Sequence, residues 1–316
     1  MIHHSLRKYR EIRIAQGKTG KKLWKLLAHD QVSEIVGRCY ELLCRMHICS
    51  PKVIVMIDGG ICSQMHQYLI GQLYAAKGMK VLYDLTWYQT NGMDVDGRFT
   101  REFELTKMFP GMELNTPSPR MLRFYKRYLR HITFDMTLPS IEQKSAPIYI
   151  GAYYIVKDDV LFMDTFYRLF TQDAMAKIAL GLTTGKTHNC AIHVRRGDLA
   201  DGNNPWYGGC SDDYFFKAIA MIEEKYPKTK YFFFSDEMDY VEQNLVPHLK
   251  VDYELVRGPH KAYEDLMLIS QCDIIVASQG SFGKYASFLN RDSLLVIQND
   301  RFASLWLERN PNAIPI

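Results

Sequence analysis

In the stretch NCAIHVRRGDLADG, Asn189 to Gly202, an apolar run ends in two adjacent arginines, with His193 shortly before them and Asp198 shortly after. Guanidinium forks are planar, permanently charged and matched to pairs of phosphate or carboxylate oxygens. Two of them at the end of a strand point to an anionic ligand. Other apolar runs are followed by polar residues too: Ser235 and Asp236 after YFFF, Arg257 after YELV, and Ser278, Gln279, Gly280 and Ser281 after DIIVA. A Gly-Ser turn that opens a helix offers backbone N–H groups to an anion. Arg195, Arg196, Gly280 and Ser281 on the phosphates, with Asp236 on a base or ribose donor, would hold a nucleoside diphosphate. The structural alternative is an ion-pair cluster of Arg195, Arg196 and Asp198, with Asp236 capping the helix that follows it and Ser281 capping its own. Neither a G-x-x-x-x-G-K-[ST] loop nor a G-x-G-x-x-G fingerprint occurs, which argues against NTPase and dinucleotide chemistry.

These residues need strands to end where they stand. From residue 187 the chain reads as strand HNCAIHV, helix Asp212–Pro227, strand KYFFFSD, helix Asp239–Pro247, strand YELVRG, helix Lys261–Cys272, strand DIIVAS, helix Ser281–Asn290 and strand SLLVIQ. Strands that are apolar throughout and joined by helices predict a parallel sheet covered on both faces, with the ligand beyond the carboxyl ends of its strands. An earlier series runs KVIVMID, a GG break at Gly59–Gly60, a helix over Ser63–Gly78 with Met65, Leu69, Leu73 and Ala76 on its apolar face, and KVLYDL. Residues 86–120 are irregular, and a basic amphipathic helix is expected over Arg120–Ile132. The predicted organisation is a basic helical extension (1–50), an N-terminal Rossmann-like domain on the acceptor side (51–180) and a C-terminal Rossmann-like ligand-binding domain (181–316), the two facing each other across a cleft.

The 316 residues, 47 % apolar and 13 % aromatic, suffice for a large core. No apolar run approaches the roughly 20 residues needed to span a bilayer, and the N-terminus lacks a secretory h-region. The seven cysteines form no C-x-x-C pair and read as reduced thiols, so a cytoplasmic protein is expected. Residues 1–30 hold eight basic and two acidic side chains, a net +6 against +4 for the whole chain. With Trp24, Leu23, Leu26 and Leu27 among its lysines, this arm is either an interfacial helix on an anionic membrane at the inner face or a helix packed on the body. A nucleic-acid partner is disfavoured, because the basic excess does not extend onto the body.

HVRRGD (His193 to Asp198) resembles the H-x-R-R-x-D motif of the alpha-1,2-fucosyltransferases and their alpha-1,6 and protein-O-fucosyltransferase relatives. Three further blocks occur in the family's order. GGICSQMHQYLIG (Gly59 to Gly71) is similar to its G-G-L-G-N-Q-M-F-Q-Y-x-x-G, FFFSDEMDYVEQNL to its F-S-D-D block, and CDIIVASQGSFGKYASFLN (Cys272 to Asn290) to its C-x-x-x-I-x-A-N-S-[ST]-F-S-W-W-G-A-W-L-N. The resemblance implies an α/β fold of GT-B type, a GDP-fucose donor, inversion at the sugar carbon, a glycan hydroxyl as acceptor, and no metal or other cofactor. It implies donor contacts from Gly60, Ser63, Gln64, His193, Arg195, Arg196, Asp236, Gly280, Ser281 and Phe282, with Arg195 on the β-phosphate and Arg196 holding the loop. The one D-x-D text, Asp94–Asp96, lies in the irregular part of the first domain. Cys62-Ser63 replaces the family's Gly-Asn, His66 its Phe, and Lys284 and Tyr285 its paired tryptophans, so glycosyl transfer is the firmer expectation and fucose or the alpha-1,2 linkage the finer one; another nucleotide sugar is the alternative donor. For the proton of the attacking hydroxyl, Asp58 leads as the base, followed by His66 and Asp198.

Overall fold

A computed structural model describes residues 20–90, 92–93, 100–131, 147–151, 165–166, 169, 187–197, 209–290, 292–299 and 312–316. The chain divides into two compact units, Met1–Phe103 with Met112–Leu161, and Glu104–Gly111 with Phe162–Ile316. Each contains a parallel sheet of the kind a GT-B fold requires.

In the first unit helix α1 (Gly20–Arg45) precedes strand β1 (Lys52–Met56), helix α2 (Ile61–Ala75), strand β2 (Lys80–Asp84), helix α3 (Pro119–Tyr128) and the short strands β3 (Arg130–His131) and β4 (Ile148–Ile150). The sheet order is β2-β1-β4-β3, parallel throughout, with Val53 of β1 opposite Val81 on one side and Ile148 on the other. Val53, Ile54 and Val55 are all buried, as a strand covered on both faces demands. β3 and β4 are too short to carry a periodicity and do not stand out in the sequence. At the end of β2, buried Asp84 accepts from Tyr149 (2.7 Å) and from the backbone and hydroxyl of Thr86, and pairs with Lys126 (2.7 Å). Burial pushes this carboxyl up, and the Lys126, Thr86 and Tyr149 contacts more than offset it, holding it below the usual range.

The second half of α1 packs on α3. Tyr40 meets Phe124 and Tyr125 edge-on at centroid distances of 5.0 and 6.1 Å, and a Cβ on Gly37 would lie 2.7 Å from the Tyr128 carbonyl oxygen. Val32, Ile35 and Leu42 of the same helix, and Met46 just after it, are exposed. Among the described residues no helix is long and apolar enough to cross a membrane.

The second unit holds strand β5 (His188–Val194), helix α4 (Asp212–Lys225), strands β6 (Thr229–Ser235) and β7 (Asp252–Leu255), helix α5 (Ala262–Ile269), strand β8 (Ile274–Ala277), helix α6 (Phe282–Leu289) and strands β9 (Leu295–Gln298) and β10 (Ala313–Pro315). Its sheet runs β10-β9-β8-β5-β6-β7, all parallel. Ile192, Val194, Phe233, Ile274 and Ile297 build one core with Phe215, Ala218 and Ile222 of α4. The helix expected over Asp239–Pro247 is instead one α-turn (Met238–Tyr240), a π-turn (Val241–Leu245) and a 3₁₀ turn (Val246–His248). Pro247 lacks the N–H that a continuing α-helix needs, although Val246 before it keeps helical backbone (φ −66°, ψ −27°). The free cysteines divide, with Cys44, Cys62, Cys190, Cys210 and Cys272 buried and Cys39 exposed.

Candidate active site

The second sheet starts in its middle. β5 comes first, β6 and β7 add on one side, and β8 to β10 add on the other, so the strand order reverses between β5 and β8. A ligand of an open α/β sheet sits beyond the carboxyl ends at such a switch point. The residues there are His193 to Arg196 from β5 and Ser278 to Ser281 from β8.

One hydroxyl ties the two strand ends together. Ser278 Oγ accepts from the Arg195 backbone N–H (2.9 Å) and lies 3.0 Å from His193 Nδ1. The His193 ring stacks on Phe282, the first residue of α6, at 5.2 Å and 24°. Burial, with the Arg195 charge adding to it, pushes the His193 imidazole down to about 3, so it is neutral at physiological pH. His193 therefore orients the strand end and carries no charge to the ligand.

The two arginines are held differently. Arg195 Nη1 is bonded to Asp236 Oδ2 in a half-buried ion pair, while Asp236 Oδ1 accepts the Arg196 N–H at 3.0 Å. Asp236 thus braces both arginines and does not cap the following helix, whose first turn is preceded by Glu237. The Arg196 guanidinium lies 3.3 Å from the Tyr240 ring centre, and its Nε donates to Glu237 (3.3 Å). Tyr240 is fixed in turn through its hydroxyl, which donates to Asp212 (2.6 Å). Arg196 is a clamped loop residue, and Arg195 is the one whose backbone is bonded to the end of β8 while its guanidinium pairs with Asp236. Glu237 and Tyr240 lie in stretches that read as ordinary helix surface and carried no signal in the sequence. Asp198 lies outside the described residues.

At that turn Gly280 is exposed with φ 101°. Ser281 precedes α6 but makes no side-chain capping bond, which corrects the capping expectation and leaves the first-turn N–H groups without that partner. Gln279 points inward, its Oε1 accepting the Cys210 N–H at 2.9 Å.

In the first unit the sheet order reverses between β1 and β4, and Asp58 follows β1. Gln67 grips it twice: its Oε1 accepts the Asp58 N–H (2.8 Å) and its Nε2 donates to Asp58 Oδ1 (2.6 Å). Burial raises the Asp58 carboxyl above the usual range and the Gln67 bond partly offsets this. Gly59 takes φ 71°, and its carbonyl accepts from Tyr88 (3.0 Å) and Gln64 (3.2 Å). Gln64 also donates to the Glu102 carbonyl at 2.8 Å and is fully buried, so this side chain braces the loop. His66 is buried on α2, whereas Ser63 and Gly60 are half-buried at its start. A Cβ on Gly60 would lie 3.8 Å from the Arg101 guanidinium carbon, which adds to this loop a cation that sequence reasoning missed in the irregular 86–120 stretch. Among the described residues no group of three His, Cys, Asp or Glu side chains could hold a metal; Asp94–Asp96 lie outside them.

The family described as Glycosyl transferase family 11 matches residues 124–313, more than half of the chain. An alpha-1,2-colitosyltransferase of Escherichia coli is 20 % identical over 265 residues, 77 % of this chain and 89 % of that protein. Among solved structures, the NodZ alpha-1,6-fucosyltransferase soaked with GDP-fucose has a TM-score of 0.48 and 15 % identity, over 80 % of this chain and 96 % of that one. POFUT1 in complex with GDP has a TM-score of 0.41 and 11 % identity, over 78 % and 96 %.

Proposed function

Because the chain belongs to glycosyl transferase family 11, we propose that it transfers fucose from GDP-fucose to a hydroxyl of a glycan acceptor with inversion, forming an alpha-1,2 linkage in the synthesis of a surface polysaccharide or oligosaccharide. The observation that carries the reading is the knot at the β5/β8 switch point. Arg195 is fixed through its backbone to Ser278 and through its guanidinium to Asp236, beside the open N-terminus of α6.

In this reaction the acceptor oxygen attacks the anomeric carbon from the face opposite the nucleotide. The bond from that carbon to the β-phosphate oxygen breaks, and its electron pair leaves with GDP. Arg195 and the N–H groups around Gly280 and Ser281 meet the charge that develops there, the work a divalent cation does in other transferases. A donor fixed before the reaction costs no reorganisation during it. The acceptor hydroxyl loses its proton to Asp58, whose raised pKa and double grip by Gln67 suit a base of fixed orientation. Residues 1–30 are proposed to attach the enzyme peripherally to the anionic cytoplasmic face of a membrane where such acceptors are built.

A second reading, another nucleotide sugar on the same site, is favoured by Lys284 and Tyr285, both buried where the family pattern has tryptophans, and by a relative named for colitose. Thermal unfolding against a panel of nucleoside diphosphates, followed by incubation with GDP-fucose on a glycan array and mass spectrometry, separates the two. Stabilisation by GDP and a mass gain of one deoxyhexose support the first reading. No stabilisation by GDP sinks the fucose donor.

A further inference from the structure

Gln298 ends β9 with its side chain buried, 5 % exposed, and neither carboxamide atom has a hydrogen-bond partner among the described residues. Its strand neighbours are Val296 and Ile297, so an aliphatic residue would complete the layer without cost. A buried donor and acceptor left unpaired are rare in folded proteins and require a reason. Gln298 lines a cavity of about 20 Å³ together with Ser278, Gln279, Gly280, Lys284 and Asn299. That space exceeds the roughly 10–15 Å³ needed to hold one water-sized group. Its rim is the exposed Gly280, and one wall is Ser278, whose hydroxyl already serves His193 and Arg195. Gln279 is likewise committed, to Cys210. Lys284, also on the wall, has its ammonium 4.9 Å from the Tyr285 ring centre and 5.1 Å from that of Phe288.

The chemistry of the missing group follows from the two orphaned atoms. A phosphate oxygen only accepts and would leave Gln298 Oε1 unpaired. A hydroxyl both accepts and donates, and one oxygen-sized group fills the space. We infer that Gln298 is a specificity-determining residue of the donor site, taking a hydroxyl of the nucleotide sugar, on the ribose or on the transferred hexose, into the cavity behind the Ser278–Gly280 turn. This rests on the nucleotide-sugar reading of that turn.

The test compares wild type with Gln298→Leu, which keeps the volume and removes both polar atoms, and with Gln298→Met as an unbranched control. Thermal unfolding without ligand and calorimetric affinities for GDP, 2′-deoxy-GDP and GDP-fucose are measured. Because the amide has no partner among the described residues, both variants should unfold no lower than wild type, while affinity for GDP-fucose falls at least tenfold. An equal loss for GDP that is absent for 2′-deoxy-GDP assigns the hydroxyl to the ribose; a loss confined to GDP-fucose assigns it to the sugar. If both variants unfold well below wild type, Gln298 is a structural residue and the inference is overturned. If they bind like wild type, the cavity holds water only and the inference falls while the GDP reading stands; a wild type that binds neither GDP nor GDP-fucose overturns both.

Discussion

At Arg195 the shape of the side chain matters as much as its charge. One arm of the guanidinium is spent on Asp236 and the backbone on Ser278, so the planar fork has a set direction. Lysine keeps the charge but cannot hold Asp236 and a phosphate oxygen in one rigid plane. Arg195→Lys is therefore expected to lower kcat/KM by about 10²-fold, about 3 kcal/mol of transition-state stabilisation, with an unchanged melting temperature; steady-state kinetics at saturating acceptor check it. His193 gives a stability prediction. Its folded pKa, about 3, lies below the ordinary 6.5, so the unfolded chain binds the proton first. The contribution is complete above pH 6.5 and is lost as pH falls toward 3, at up to about 1.4 kcal/mol per pH unit. Urea unfolding at pH 7 and pH 5 should show that slope in wild type and a shallower one in His193→Asn, which keeps a partner for Ser278 but cannot titrate.

Helices and strands were legible to the extent that their patterns were long. β5, β6 and β8 stand out as apolar runs because both faces of the sheet are covered, and the polar residues just past them are the ones the switch point gathers. The role of each was less legible, since what a side chain touches depends on partners far along the chain. Asp236 reads as a donor contact with a helix cap as the alternative, and its bracing of both arginines was not foreseen; Gln64, expected at the donor, donates to two carbonyls. β3 and β4 left no trace, because two or three residues carry no period. For the arm, composition left membrane and body equally open, and the packing of Tyr40 and Gly37 on α3 shows that the second half of α1 belongs to the body. Gly37→Val is accordingly expected to destabilise the protein by about 1–3 kcal/mol, since the new side chain meets the Tyr128 carbonyl and must lift the helix. Thermal unfolding against Ile35→Ala, an exposed control on the same helix, checks it.

For the molecule as a whole, charge is concentrated in the first 30 residues of the sequence. Residues 1–30 carry net +6 and the remainder is close to neutral. Each basic residue near an anionic bilayer contributes roughly 1 kcal/mol, screened within a Debye length. Deleting residues 1–30 should abolish salt-sensitive binding to anionic vesicles while kcat on a soluble oligosaccharide changes less than about threefold, because α1 keeps its docked half. Sedimentation with vesicles at low and high salt, beside the kinetics, decides it. A truncated protein that aggregates, together with a full chain that ignores vesicles, would make the arm part of the fold.

The central place of β5 also has a consequence for biosynthesis. It leaves the ribosome before either neighbouring strand, and its partner on one side, β8, begins roughly 80 residues later. At about 5–20 residues per second, that edge stays open for on the order of 4–16 s of translation. During this interval the apolar strand that carries His193 is a nascent, unpaired edge, so chaperone supply and elongation rate should govern the yield of soluble enzyme more than the stability of the finished fold does.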